Sequence, residues 1–280
     1  MAVEFFDSHC HVQSAGLGAG ERATRERWAK LADPSGDAII ARAHAAGVAR
    51  MLCVGCDAAD SELAIDFVKN RENCWASIGI HPHESQHYVG NEQRLAAFAA
   101  LAARPKVVAV GECGLDYFYT HSPKEAQVEI LRFQIELAQR HDLPMVFHVR
   151  EAFDDFWPIF EDHHAKRPIR GVLHSFTDSQ ANLERAVKHG LYIGVNGIAT
   201  FTKSDAQQAM YRAIPLGHLL LETDAPFLTP HPERGTICEP YHTRIVAEFL
   251  AQQRGESVEQ IAAATTQNAQ QLFRVWRKEL

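Results

Sequence analysis

The chain has 280 residues, of which 46% are hydrophobic and 22% charged, and a formal net charge of −7. That is enough apolar material for a sizeable core, and no uninterrupted apolar run is long enough to span a bilayer. The acidic balance excludes broad, non-specific adhesion to nucleic acid, but it permits phosphate contacts confined to a cleft and supplied partly by metal.

The first predicted strand leads through Phe5-Phe6-Asp7-Ser8 into His9-Cys10-His11. Residues two apart on a strand share a face, so His9 and His11 point together and Cys10 points away. Residues 12–36 form a long Gly-rich connection (Gly16, Gly18, Gly20), longer than a typical strand-to-helix loop. Asp37 is the expected cap of a helix through Ile39, Ile40 and Ala43, with Gly47 as its stop. Strand two is predicted over Arg50–Val54, and Asp60 is the expected cap of the next helix. Strand three spans Trp75–Ile80 and ends in His81-Pro82-His83; an Ala-rich helix covers Asn91–Ala103. Strand four, Val107–Val110, ends in Gly111-Glu112.

Ser122-Pro123-Lys124-Glu125 is a helix start, with Ser122 as cap and Pro123 first in the helix, which should run to His141. Strand five, Pro144–Phe147, ends in His148, and a short helix follows over Phe153–Glu161. Strand six, Gly171–Leu173, ends in His174. The helix Ser179–Lys188 leads to strand seven, Leu191–Val195. After the helix Ser204–Ala213, strand eight, His218–Leu221, ends in Glu222-Thr223-Asp224. Helices over Tyr241–Gln253 and Val258–Trp276 complete the pattern. Eight short apolar strands alternating with helices predict an α/β fold, a (β/α)8 TIM barrel forming a single domain over 1–280. No Gly-rich fingerprint follows strand one, which disfavours a dinucleotide-binding sheet.

A barrel of this kind carries its chemistry where the strands end. His9, His11, Glu112, His148, His174 and Asp224 all terminate strands and are metal-ligand types. Four imidazoles and two carboxylates exceed the needs of one four-coordinate ion, so two divalent metal ions sharing a carboxylate are expected. Two ions about 3.5–4 Å apart bind nucleophile, scissile group and leaving oxygen in hydrolysis by metal-activated water. The donors suit zinc, manganese or nickel, and magnesium alone is less typical of so many histidines; zinc, manganese or magnesium are the ions expected.

The motifs Asp7-Ser8-His9-Cys10-His11, Gly79-Ile80-His81-Pro82, Gly111-Glu112-Cys113-Gly114-Leu115-Asp116-Tyr117, His148-Val149-Arg150, His174-Ser175-Phe176 and Glu222-Thr223-Asp224-Ala225-Pro226 stand in order along nearly the whole chain. In this the chain resembles the TatD-type metal-dependent deoxyribonucleases, a branch of the amidohydrolase-like barrels. The resemblance implies that His9, His11 and Asp224 serve one ion, that His148 and His174 serve the other, and that Glu112 bridges. It also implies a nuclease acting on DNA, often from the 3′ end. Ala225 stands where that family usually has Ser, and Cys238 where Asn is common.

Asp224 reads equally as a ligand alone or as a ligand and general base, so the expected catalytic residues are Asp224 and Glu112. Asp7 and Glu222 lie two residues before His9 and Asp224, where they either orient ligand imidazoles or serve as buried structural acids. His81 either faces substrate or a third ion, or makes turn chemistry. Arg150 either clamps a phosphate or pairs at the rim, and Lys203 and Arg234 are weaker phosphate contacts in loops. Tyr117 and Phe201 either stack on a base or pack locally, while His121, His163 and His164 read as solvated. Cys53-Val54-Gly55-Cys56 reads as a buried reduced thiol pair rather than a redox or zinc site.

The leading expectation is therefore a metal-dependent hydrolase of DNA phosphodiester bonds, a 3′-5′ exodeoxyribonuclease taking single strands or 3′ ends, with no membrane partner. The alternative is a hydrolase of the same fold acting on a small ester, lactone or amide, and a third reading is a non-catalytic metal-holding barrel. With no leader-like segment and no cysteine framework, a cytoplasmic location is expected.

Overall fold

Period-two patterning along each strand decides the architecture. In the computed structural model, which describes residues 3–16, 22–119 and 121–276, the strands are β1 (Phe5–Cys10), β2 (Val48–Val54), β3 (Cys74–Ile78), β4 (Val107–Asp116), β5 (Met145–Arg150), β6 (Gly171–Leu173), β7 (Tyr192–Val195) and β8 (Leu219–Leu221). They form one sheet in sequence order, every neighbouring pair parallel. Beyond the strands, β1 meets the segment after β8 through a Cys10–Ala225 bridge and the bonds His11 N→Ala225 O (2.8 Å) and Asp224 N→His9 O (2.8 Å). The result is a nearly closed (β/α)8 barrel, as expected.

Phe6, Leu52, Val54, Ala109, Val146, Val172 and Leu220 share one buried cluster inside the barrel, joined by Leu272, Phe273 and Val275. Their alternates Met51, Cys53, Met145, Phe147, Leu173, Leu219 and Leu221 face the helices. Each large lumen residue removed from water contributes about 1.5–3 kcal/mol. The same parity carries past the apolar layer to the barrel mouth. Val146 leads to His148 and Arg150, Val172 to His174, and Leu220 to Glu222 and Asp224.

The helices are α1 (Arg22–Trp28), α2 (Gly36–Ala45), α3 (Ala58–Val68), α4 (Glu92–Ala100), α5 (Lys124–His141), α6 (Phe153–Lys166), α7 (Gln180–Lys188), α8 (Ile198–Phe201), α9 (Asp205–Ala213), α10 (Thr243–Arg254) and α11 (Val258–Phe273). Several predicted boundaries move. Ser35, not Asp37, caps α2, and Asp57, not Asp60, caps α3. Pro123 occupies the cap position of α5, while Ser122 Oγ donates to His83 O at 2.6 Å. At α2 and α3 two nearby polar side chains compete for the same exposed N–H groups and the chain path selects one, whereas α5 starts without a side-chain cap. Strand four continues six residues beyond its expected end, to Asp116, and α11 stops at Phe273, before Trp276.

The connection over 12–36 is not simply a loop. It contains a 3-10 turn (Val12–Ser14) and α1, whose Trp28 is buried and donates Nε1–H to His11 O at 3.1 Å. Gly18 and Gly20 lie outside the described residues.

Candidate metal centre

The residues that end the strands converge. Glu112 lies among four histidines: its Oε2 is 3.4 Å from His9 Nε2, and its Oε1 is 2.8 Å from His148 Nδ1 and 3.7 Å from both His81 Nε2 and His174 Nε2. Asp224 Oδ1 is 3.3 Å from His11 Nε2, 3.6 Å from His9 Nε2 and 3.8 Å from His174 Nε2. All six expected ligands therefore border one space.

The local chain explains how Glu112 gets there. A register irregularity in β4 between Val110 and Cys113 shifts the strand at this point. Gly79 on the adjacent chain leaves no room for a side chain: a Cβ there would lie 2.3 Å from Glu112 N. Gly111, with φ +139°, would place one 2.3 Å from Val146 O. At the other side Asp224 is held at φ +62°, a left-handed conformation uncommon outside glycine, by the His9 and Phe227 backbone bonds.

The ring nitrogens are aimed by partners. His11 Nδ1 lies 2.9 Å from Val54 O, an acceptor only, so Nδ1 carries a proton and Nε2 is the nitrogen turned to the centre. Glu222 Oε1 lies 3.0 Å from His174 Nδ1 and accepts Ser175 N–H at 2.6 Å. His174 also stacks on His9 with ring centroids 3.5 Å apart. Asp116, buried, places Oδ2 3.0 Å from His148 Nε2 and 3.1 Å from His83 Nε2.

Electrostatics follow from this packing. Burial would raise the Glu112 carboxyl, but His174, His81, His148 and His9 hold it well below the usual range. Burial, with His174 beside it, lowers His9, and burial pushes His81 down to about 3. Burial opposes charge on His148, yet Asp116 and Glu112 lift it to about 9.

These donors fit divalent cations. Both ring nitrogens of His9 are buried without a hydrogen-bond partner among the described residues, and Nε2 faces two carboxylate oxygens. Bonds of about 2.0–2.2 Å to a tetrahedral ion put neighbouring donors about 3.3–3.5 Å apart, close to the 3.3–3.8 Å observed. The donors fall into overlapping groups: His9–His11–Glu112, His9–His174–Asp224 and His81–Glu112–His148. His174 is thus placed with His9 and Asp224, and His148 with His81.

Other expectations meet different surroundings. Asp7 does not touch an imidazole; its carboxylate accepts His9 N–H (3.2 Å), Thr223 N–H (3.0 Å) and Thr223 Oγ1–H (2.6 Å), tying the ends of β1 and β8 together. Burial pushes its pKa up to about 8. Arg150 and His81 line a cavity of about 470 Å³ over the centre, whereas Lys203 and Arg234 do not. Lys203 is exposed, and Arg234 donates to Thr229 O and covers the Phe201 ring at 3.9 Å. Phe201, like Arg234, does not line the cavity, and Tyr117 is held through its hydroxyl by Asp155 at 2.7 Å. His163 is buried rather than solvated, and His164 stacks on Phe160. His121 is exposed, as expected, with its ring against His83 and Tyr119. Cys53 and Cys56 do not form a buried pair: Cys53 faces the helices, while Cys56 reaches the cavity with Sγ 3.8 Å from Glu112 Oε2.

Asp116, His83 and Cys56 are site residues that reading the strand ends missed. Strand parity marks two of them. Positions 112, 114 and 116 share a face on β4, and 52, 54 and 56 continue one face beyond β2.

A parallel eight-stranded barrel with imidazoles and carboxylates converging at its C-terminal mouth defines the class of metal-dependent hydrolases. The comparisons with known proteins agree. A family described as TatD related DNase matches residues 6–274. A Bacillus subtilis protein named "Uncharacterized metal-dependent hydrolase YabD" is 36% identical, covering 96% of this chain and 99% of that one. A Citrobacter rodentium protein named "3'-5' ssDNA/RNA exonuclease TatD" is 35% identical, covering 86% of this chain and 93% of that one. The crystal structure of YJJV, a TatD homolog from Escherichia coli K12, superposes with a TM-score of 0.84 at 30% identity, covering 99% of this chain and 100% of that one. The chain belongs to the TatD family. Among the described residues, no helix is long and apolar enough to cross a membrane.

Proposed function

We propose that this protein hydrolyses phosphodiester bonds of single-stranded DNA, releasing nucleotides from the 3′ end with two divalent cations. The observation that carries the reading is Glu112, whose two oxygens face different histidines: Oε2 toward His9, Oε1 toward His148, His81 and His174. A carboxylate so placed is suited to bridge two ions. His9, His11 and Asp224 would hold one, and His148 and His174, which share Glu112 Oε1, the other, with His174 also within reach of the first ion's donors. Bound there, the cations supply acidity to water and offset negative charge on the scissile phosphate.

The chain's own groups do the rest. Asp224, at the cavity, accepts the proton that the attacking water loses. Glu222 and Asp116 keep His174 and His148 in fixed orientations. Arg150 lines the cavity and is placed to hold a phosphate oxygen. The name of the Citrobacter relative supports substrate and polarity. All six cysteines are free, which supports action in the reducing cytoplasm.

One observation favours a second reading. The cavity, about 470 Å³, falls in the range of small-ligand pockets, as a small ester, lactone or amide would require. The test strips the protein with chelator and reloads it separately with magnesium, manganese and zinc. Each form is given 5′-labelled single-stranded DNA, with Asp224→Asn alongside. Metal-dependent products shortening from the 3′ end, absent in the variant, are expected. Two bound ions without DNA cleavage, but with turnover of a small ester or amide, would replace the proposal with the second reading.

A further inference from the structure

The last stretch of β4 leads directly to an unusual surface. Among the described residues only four large apolar side chains are exposed, and two of them, Phe118 (49%) and Tyr119 (44%), are consecutive. Their rings meet edge to face at 4.7 Å. Arg150 lays its guanidinium 3.8 Å over Phe118 and 5.0 Å from Tyr119. Because Arg150 also lines the cavity above the metal centre, the aromatic pair is continuous with its rim.

The pair is also held in place. Asp116 Oδ1 accepts the backbone N–H groups of Phe118 and Tyr119, both at 3.0 Å, while Oδ2 faces His148 and His83. One buried carboxylate therefore fixes the turn that carries the rings and the orientation of an expected ligand. Two exposed aromatic rings anchored this way, with a cation on one face, form a ledge rather than a stray apolar patch.

We propose that Phe118 and Tyr119 form a stacking subsite for an unpaired nucleobase next to the phosphate under attack, with Arg150 between base and phosphate. This rests on the DNA-hydrolase reading above. The cavity is of small-ligand size, so the strand beyond the reacting nucleotide must pass over the rim, where these rings stand. With a chain charge of −7, long-range attraction to the backbone is weak, and short-range stacking supplies the affinity. In a duplex the base faces are already stacked on their neighbours, so the subsite selects single strands. Stacking of this kind tolerates any base, because every base presents a π-face.

The test uses the metal-loaded full chain and two short single-stranded deoxyoligomers of equal length. One carries all its bases, and the other has abasic internal nucleotides. The readout is the ratio of their KM values. In the wild type the abasic oligomer is expected to show a KM about tenfold or more higher. In F118A/Y119A that preference collapses toward one, and in Phe118→Trp, which keeps a stacking face, it persists. Should the double variant not fold, Tyr119→Ala alone carries the comparison, with bound metal measured alongside. Cleavage of both oligomers without preference by the wild type, or a preference that survives in the alanine variants, overturns the stacking subsite and leaves the hydrolase reading standing. Failure of the loaded wild type to cleave either oligomer overturns both.

Discussion

Removing the charge of Asp116 should reduce the alkaline loss of stability of the metal-free protein. His148 stands between two carboxylates, with Nδ1 2.8 Å from Glu112 and Nε2 3.0 Å from Asp116. Burial disfavours its charge, but these partners raise its pKa from 6.5 to about 9. A base whose pKa is higher in the folded state stabilises fully below its unfolded value of 6.5. That contribution fades as pH rises through about 9. At 1.36 kcal/mol per pH unit the difference corresponds to about 3 kcal/mol. For a chain of 280 residues that is about 5 °C in Tm for Asp116 and Glu112 together, of which Asp116→Asn removes the Asp116 share. The assay is thermal unfolding of chelated protein from pH 6 to 10, wild type against Asp116→Asn, which preserves the shape of the side chain and removes its charge. The wild type should be the more stable below pH 6.5, and the gap should close by about pH 9.5. Glu112, whose carboxyl is depressed, contributes its own loss only at acid pH, while His11 and His174, whose values are raised, lose their protons in both proteins and cancel in the comparison. Parallel curves for the two proteins would refute the reasoning, because the His148 proton would then not depend on Asp116. Reloading metal should remove the trend, since a ligated nitrogen no longer holds a proton.

Glu112→Gln should leave less than one tightly bound ion per chain by elemental analysis after dialysis, and should slow hydrolysis about a hundredfold or more; retention of two ions would show that this carboxylate does not bridge. Glu222→Gln weakens the anchoring of His174 Nδ1, and metal affinity measured against a competing chelator should fall about 10–100-fold. Gly79→Ala places a methyl 2.3 Å from Glu112 N and should cost about 1–3 kcal/mol, read as a lower denaturation midpoint together with weaker metal retention. A variant as stable as the wild type would mean that the backbone yields at this point.

What the amino-acid sequence determines by itself is the repeat. Eight apolar runs separated by helix-forming segments specify the barrel, and period-two alternation places Val146 and His148, Val172 and His174, and Leu220 and Glu222 on common faces before any contact is known. Strand ends are thus local information, and so are the ligand types found there. Helix starts were less legible, because Ser35 and Asp37, or Asp57 and Asp60, offer the same oxygen to the same N–H groups, and only the path of the preceding loop chooses between them. The length of β4 was also hidden, since Gly111 reads as a strand end, while the missing side chains of Gly111 and Gly114 admit the adjoining backbone at Val146 and His148.

Tertiary structure alone decides which strand ends meet. Closure of β1 against the segment after β8 turns Asp7 into a clamp on Thr223 rather than a partner of a histidine ring. Closure also brings His9, near the start of the chain, into a stack with His174, which lies well past its midpoint. The shift in β4 moves Glu112 in among four imidazoles and carries Asp116 to His148. Arg150, Lys203 and Arg234 look alike in sequence as basic residues near strand ends, yet only Arg150 reaches the cavity. A long flexible side chain goes where its neighbours permit: the ring of Phe201 and the carbonyl of Thr229 hold Arg234 away, and those neighbours are set by the packing of distant loops.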